Sequence, residues 1–128
     1  MKRKSKYGNR KIVDIDGNKF DSKKEQKRYY ELKLMEREGL IQNLKRQVPF
    51  ELLPAMYETE VIELKTKTKE VRKCVHRATE YIADFTYLQN GEEVVEDVKA
   101  DKKFQDPVYK LKKKMMYYIH HIKIKEVY

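Results

Sequence analysis

Asn90-Gly91 divides two β-type runs, and that dipeptide limits what the chain can fold into more than any other feature. A type I′ turn needs positive φ at both central residues, and Asn and Gly supply it at least cost. Before the turn, Tyr81 to Leu88 alternates and is rich in aromatic and β-branched residues. After it, Glu93 to Lys99 sets acids against valines up to the lysine. Thr79 to Ala100 therefore reads as a β-hairpin. With Asn90 and Gly91 as the loop, Gln89 faces Glu92. Counting back, Asp84 lies opposite Asp97, and Ile82 lies opposite Lys99. Side chains alternate along a strand, so Lys99 shares a face with Asp97.

Two carboxylates placed opposite one another repel across roughly 4.5–5.5 Å. Three readings account for them. A divalent cation sits between them, since hard cations take oxygen ligands. Alternatively one carboxyl holds its proton, or the face is solvated and has no role. A slip of one residue in the turn would send the two acids to opposite faces, so the pairing depends on the turn.

The chain has 128 residues, enough for one domain with a modest core. Charged residues make up 40%, and hydrophobic residues also 40%, which is too apolar for a disordered chain. The net charge of +9 favours a polyanion as partner: nucleic acid or an anionic membrane surface. No apolar run reaches the length of a membrane span. The basic segment Met1 to Lys11 lacks the apolar stretch of a signal peptide. Cys74 is the one cysteine, so no intramolecular disulfide forms and a reducing cytoplasm is the expected setting.

Residues 1–11 read as a flexible basic tail and 12–128 as one domain. Ile12, Val13 and Ile15 before Asp16-Gly17, with Phe20 after, form a small hairpin. Ser22 to Gly39 is a helix. Ser22 caps it, Glu25 three residues on completes a capping box, and Gly39 stops it. In that box Glu25 bonds back to the Ser22 amide; the alternative is an acid pointing inward beside Tyr29, Leu32 and Glu36. A strand is expected from about Val48 to Leu53, ended by Pro54. Tyr57 to Arg72 reads as a short helix or a strand excursion, in the manner of a family-specific insertion. Pro107 opens a second helix to Tyr118, with Val108, Leu111, Met115, Met116 and Ile119 on one stripe. Lys112 falls within that stripe, where its ammonium must snorkel or meet an anion. Lys110, Lys113 and Lys114 point elsewhere and solvate a face. Together with Lys2, Arg3 and Lys4, these three are the residues expected to touch a phosphate backbone. His120 to Val127 alternates and is expected as a closing strand, with adjacent His120 and His121 facing opposite ways. Cys74 and His76 form no zinc pattern.

The set Glu25, Ala83-Asp84 and Asp97-Val98-Lys99 resembles the PD-(D/E)xK nuclease superfamily. The phrases KFDSKKEQKRYYELK, YIADFTY, VVEDVKA and VYKLKKKMM are similar to a family of small phage and prophage proteins. That family is carried as a domain of unknown function and assigned to the superfamily. The resemblance implies an α/β fold of mixed α+β character: a restriction-endonuclease-like core whose central mixed sheet is flanked by helices, here with an N-terminal β-hairpin. It implies a Mg²⁺-dependent endonuclease acting on DNA phosphodiesters, with Mn²⁺ able to substitute. Asp84 and Asp97 would bind the metal with the Val98 carbonyl, and Glu25 would be a further acidic ligand. Lys99 would activate the attacking water, and Lys112 matches a position where relatives carry a Lys or Gln contacting the site. Ala83 departs from the Pro of the superfamily name. By analogy with resolvase-like relatives, the DNA would be branched or replication-associated. Phage replication or recombination proteins would be partners, a homodimer would form if two strands are cut, and the setting would be the bacterial host cytoplasm. The rival reading from the residues is a module of the same fold that binds DNA or protein without cutting. A ribosomal-type RNA-binding protein explains the charge but not the acid pair.

Overall fold

A computed structural model describes residues 12–14, 16–103 and 105–128. The basic tail with Lys2, Arg3 and Lys4 lies outside the described residues, as does Ile15. Strands β1 (Ile12–Val13) and β2 (Lys19–Phe20) pair antiparallel as the expected hairpin, and Gly17 turns at φ 83°. Helix α1 spans Lys23–Arg37. Its Ser22 Oγ accepts the Glu25 N–H at 3.2 Å. At its end Gly39 takes φ 79°, and the Leu40 and Gly39 amides bond to the Met35 and Glu36 carbonyls, a Schellman closure.

The central sheet runs in the order β3 (Gln42–Leu53), β6 (Thr79–Gln89), β7 (Glu92–Val98), β8 (Lys125–Val127). The first three strands are antiparallel, and β8 joins β7 parallel, so the sheet is mixed. The fold is therefore mixed α/β: a central mixed sheet, two helices and an N-terminal antiparallel strand pair. Helix α2 spans Pro107–His120, with Asp106 Oδ1 accepting the Val108 N–H at 2.8 Å. No helix among the described residues is long and apolar enough to cross a membrane.

Two apolar clusters hold the helices. Leu32, Ile41, Phe85 and Tyr87 pack together on the α1 side. Leu52, Tyr81, Ala83, Val95, Tyr109, Met116 and Ile124 form the α2 side. The odd-numbered residues of β6 from Tyr81 to Tyr87 are buried, yet they change cluster across Asp84. Between α1 and β7 lies an ion pair whose acid is fully buried and whose guanidinium is partly exposed. Arg28 grips Glu96 through Nη2 at 2.5 Å and Nε at 3.1 Å, and Glu96 is 0% exposed.

Four expectations are corrected. Strand β3 begins at Gln42, not near Val48. It is a sheet edge, so Gln42 to Gln47 is polar apart from Leu44 and lacks an apolar period; Asn43 and Gln47 also take positive φ, 58° and 51°. Its edge position also tolerates Pro49. Tyr57 to Arg72 belongs to an antiparallel ribbon, β4 (Met56–Glu63) and β5 (Thr68–His76), so the strand alternative holds and the helix does not. On α2 the buried residues are Tyr109 and Met116, while Val108 and Leu111 are exposed. The helix is turned because Tyr109 Oη and Lys113 Nζ both reach Glu126 of β8, at 3.1 and 2.6 Å. Finally, the closing strand is only Lys125–Val127. His120 ends α2, and His121 is its left-handed cap at φ 57°, because the helix continues until that residue breaks it.

Removing one partner of a buried ion pair strands the other charge. Arg28→Met is expected to lower the unfolding free energy by about 3 kcal/mol. Arg28→Met with Glu96→Leu should recover most of that loss. Urea melts of the single and double variants check both, and a double variant no more stable than the single would refute the assignment.

Candidate active site

The turn behaves as its sequence requires: Asn90 and Gly91 sit at φ 53° and 78°. The ladder runs from Gln89↔Glu92 to Phe85↔Glu96, in the expected register. There it stops. One residue further, the Asp84 side chain takes the place of the backbone: its Oδ2 accepts the Val98 N–H at 2.8 Å. The far side of β7 is held by β8, where the Lys99 amide donates to the Val127 carbonyl at 2.7 Å. The end of β7 is thus pinned from both sides, and Asp97 is presented between them.

Asp97 is buried, and each of its oxygens has a partner. Tyr81 Oη donates to Oδ2 at 2.7 Å. Lys99 Nζ lies 3.2 Å from Oδ1. The same ammonium sits 3.2 Å above the centre of the Tyr109 ring, a cation–π contact. Tyr109 in turn donates to Glu126, which also receives Lys113 and Gln105. Burial, reinforced by the Asp97 charge, pushes the Tyr81 and Tyr109 hydroxyls well above their usual range, so both remain donors.

Asp84 is the strained member. Burial pushes its carboxyl up to about 7. The Val98 amide opposes that rise, while the Asp97 and Glu25 charges and a hydrogen bond to the Asp97 carboxyl add to it. The partly buried Asp84 carboxyl beside the buried Asp97 carboxyl is a donor set that a hard divalent cation fits, since Mg²⁺ uses one or two carboxylates and keeps its remaining ligands as water.

Glu25 is buried at the first turn of α1. Its expected bond back to Ser22 does not form. Its Oε2 takes the Asp21 amide at 3.4 Å, and its Oε1 takes Gln47 Nε2 at 3.1 Å and lies 3.8 Å from Arg46. Burial, then the Asp21 charge, raises its carboxyl. Among the described residues no three acids, histidines or cysteines gather closely enough to hold a metal together, so Glu25 reaches Asp84 through its field rather than as a member of one cluster.

The structure therefore brings together Asp84, Asp97, Val98 and Lys99, with Glu25 on their flank. Lys112 is partly buried on α2 and forms no ion pair among the described residues. Lys110, Lys113 and Lys114 line a groove of about 600 Å³ with Lys123, Tyr117 and Ile122. Sequence reading missed Tyr81, Tyr109 and Glu126. Tyr109 stands one turn before Lys113, and that spacing could have marked the face they share. Nothing local marks Tyr81, whose hydroxyl meets Asp97 across 16 residues of chain.

A family model described as a protein of unknown function, DUF1064, matches residues 4–128. No curated protein and no solved structure matches the chain.

Between its ordinary value of 3.8 and about 7, Asp84 holds a proton in the folded chain that the unfolded chain has released. Stability contributed by this group is therefore present at acid pH and falls as pH rises through that window. Asp84→Asn retains the acceptor for Val98 and removes the charge. In melts without divalent metal, the variant is expected to lose less stability between pH 4 and 7. At pH 8 it should exceed wild type by roughly 1–2 kcal/mol. A variant that tracks the wild-type pH profile would rule this out.

Proposed function

The chain belongs to the DUF1064 family, and we propose that it is a Mg²⁺-dependent endonuclease of PD-(D/E)xK type that hydrolyses DNA phosphodiester bonds. One observation carries the reading: the β6–β7 register sets a partly buried carboxyl, Asp84, beside a buried one, Asp97, with a lysine ammonium 3.2 Å from Asp97. A structural ion pair requires one acid. Two acids, one pushed up to about 7, are a costly arrangement unless a cation occupies them.

Asp84 and Asp97 would hold the metal, with the Val98 carbonyl beside them. A divalent ion supplies Lewis acidity and lowers the pKa of its bound water. Tyr81 fixes the Asp97 rotamer through Oδ2 and leaves Oδ1 facing Lys99. The Tyr109 ring supports the Lys99 ammonium from below, so its charge is preorganised for the oxygens of a phosphate under attack. Glu25, buried and facing Asp84 through space, would orient a water at the edge of the site. Lys110, Lys114 and Lys123, along the groove beside α2, would hold flanking phosphates. Lys112 would contact the same strand further along the helix. Branched or replication-associated phage DNA is the substrate proposed by analogy, and the free, exposed Cys74 favours a reducing cytoplasm.

A second reading has its own support. Glu25 already has three partners, and the described acids form no three-membered metal group. That favours a module which binds DNA or a protein without cutting. The two readings separate in one assay of plasmid, linear, single-stranded and four-way-junction DNA with Mg²⁺, Mn²⁺ or EDTA. Asp97→Ala and Lys99→Ala are each expected to slow metal-dependent cleavage by at least about 10²-fold. Lys110→Ala with Lys114→Ala should weaken binding and lower the salt dependence by about two phosphate contacts. DNA binding in EDTA with no cutting under any metal would reject the nuclease and leave the binding module.

A further inference from the structure

The β4–β5 ribbon is set apart from the rest of the molecule. It forms its own two-stranded sheet, and β4 is exposed along its whole length. An isolated two-stranded hairpin is marginal in water unless something packs on it. The ribbon also exposes apolar side chains that no nuclease chemistry uses, among them Ile62 at 42% and Val75 at 53%.

Its charges are sorted by strand. Strand β4 carries Glu58, Glu60 and Glu63 and no cation, whereas β5 carries Lys69, Arg72 and Lys73 against the single acid Glu70. The register pairs Glu58 with Lys73, Glu60 with Val71, and Ile62 with Lys69. Side chains alternate, so these six share one face: acids along one strand, lysines along the other, and Ile62 and Val71 between them. Within the arm only Lys73 and Glu60 close an ion pair, at 3.5 Å. The shaft's glutamates oppose insertion into a DNA groove, although the tip is basic. A copy of the same face is a better match. A two-fold axis running along the arm sets β4 of one copy over β5 of the other, so the acidic row lies on the basic row: Glu58 falls over Lys73 of the other copy, and Glu60, over Val71, lies between Lys73 and Lys69. An axis across the arm would set β4 on β4 and repel.

We propose that this face of the β4–β5 arm is a homodimerisation surface on which two copies stack arms, β4 over β5. The proposal stands independently of the nuclease reading. The arm is about 27 Å long and about 10 Å wide, which is small for an interface. The dimer is therefore weak, with a dissociation constant of roughly 10–100 µM, and is loosened by salt.

Sedimentation equilibrium of the full chain across that concentration range tests it. Ile62→Thr with Val71→Thr retains β-branched residues and is expected to weaken dimerisation at least tenfold. Val61→Thr, on the opposite face of the same strand, should leave it within twofold. Glu58→Lys with Glu60→Lys, and separately Lys69→Glu with Lys73→Glu, should each be monomeric, and an equimolar mixture of the two should dimerise. A wild-type chain that stays monomeric throughout overturns the proposal, as does a mixture that fails to associate. Equal weakening by Val61→Thr assigns the effect to arm folding and overturns it too. So does a monomeric wild type whose arm variants lose DNA affinity.

Discussion

The β6–β7 ladder ends at Phe85 and Glu96, and the rest of the site depends on that stop. Had backbone pairing continued, Val98 would have been held by main chain and Asp84 would have been free to turn to solvent. Instead the Asp84 carboxyl replaces the missing carbonyl at the Val98 amide. This draws it inside and keeps it close to Asp97. An unpaired buried amide is costly, so the side chain is retained there even though a second acid lies alongside.

The surroundings are arranged around that concentration of negative charge. Tyr81 and Lys99 each take one oxygen of Asp97, leaving Asp84 as the group that must hold its proton or receive a cation. Glu96, the next residue back, points to the other side and is neutralised separately by Arg28. One short stretch of β7 thus serves two ends. Glu96 anchors α1 to the sheet, and Asp97 faces the site. Because Glu25 sits one helical turn before Arg28, the anchor that seats α1 also sets where Glu25 lies. On the other side Glu126 performs the same service for α2, binding Lys113 and Tyr109 and so placing the ring under Lys99.

The α2 helix shows how a period in the sequence can be right while the buried face is wrong. Val108, Leu111 and Ile119 form a stripe at helical spacing, yet they remain exposed, because turning Tyr109 and Lys113 toward Glu126 satisfies a hydroxyl and a charge together. Hydrophobic burial is non-directional and can be shared among faces, whereas a buried carboxylate needs particular partners at particular distances. The same contrast explains Glu25. The capping motif was legible and half of it forms, but the carboxylate is drawn to Gln47 and Arg46, whose strand lies next to α1 only in the fold.

By itself the sequence determined the local geometry: the Asn90-Gly91 turn, the register that opposes Asp84 and Asp97, the caps at Ser22 and Gly39, and the start of α2 at Pro107. Each is decided within a few residues by backbone sterics and alternation. The tertiary structure alone decided what surrounds those residues. Tyr81 on Asp97, Tyr109 beneath Lys99, Arg28 on Glu96 and Glu126 across from Lys113 join positions between 10 and 68 residues apart. No local pattern encodes such pairs, because they arise only when the sheet and both helices close around charges that cannot be buried alone.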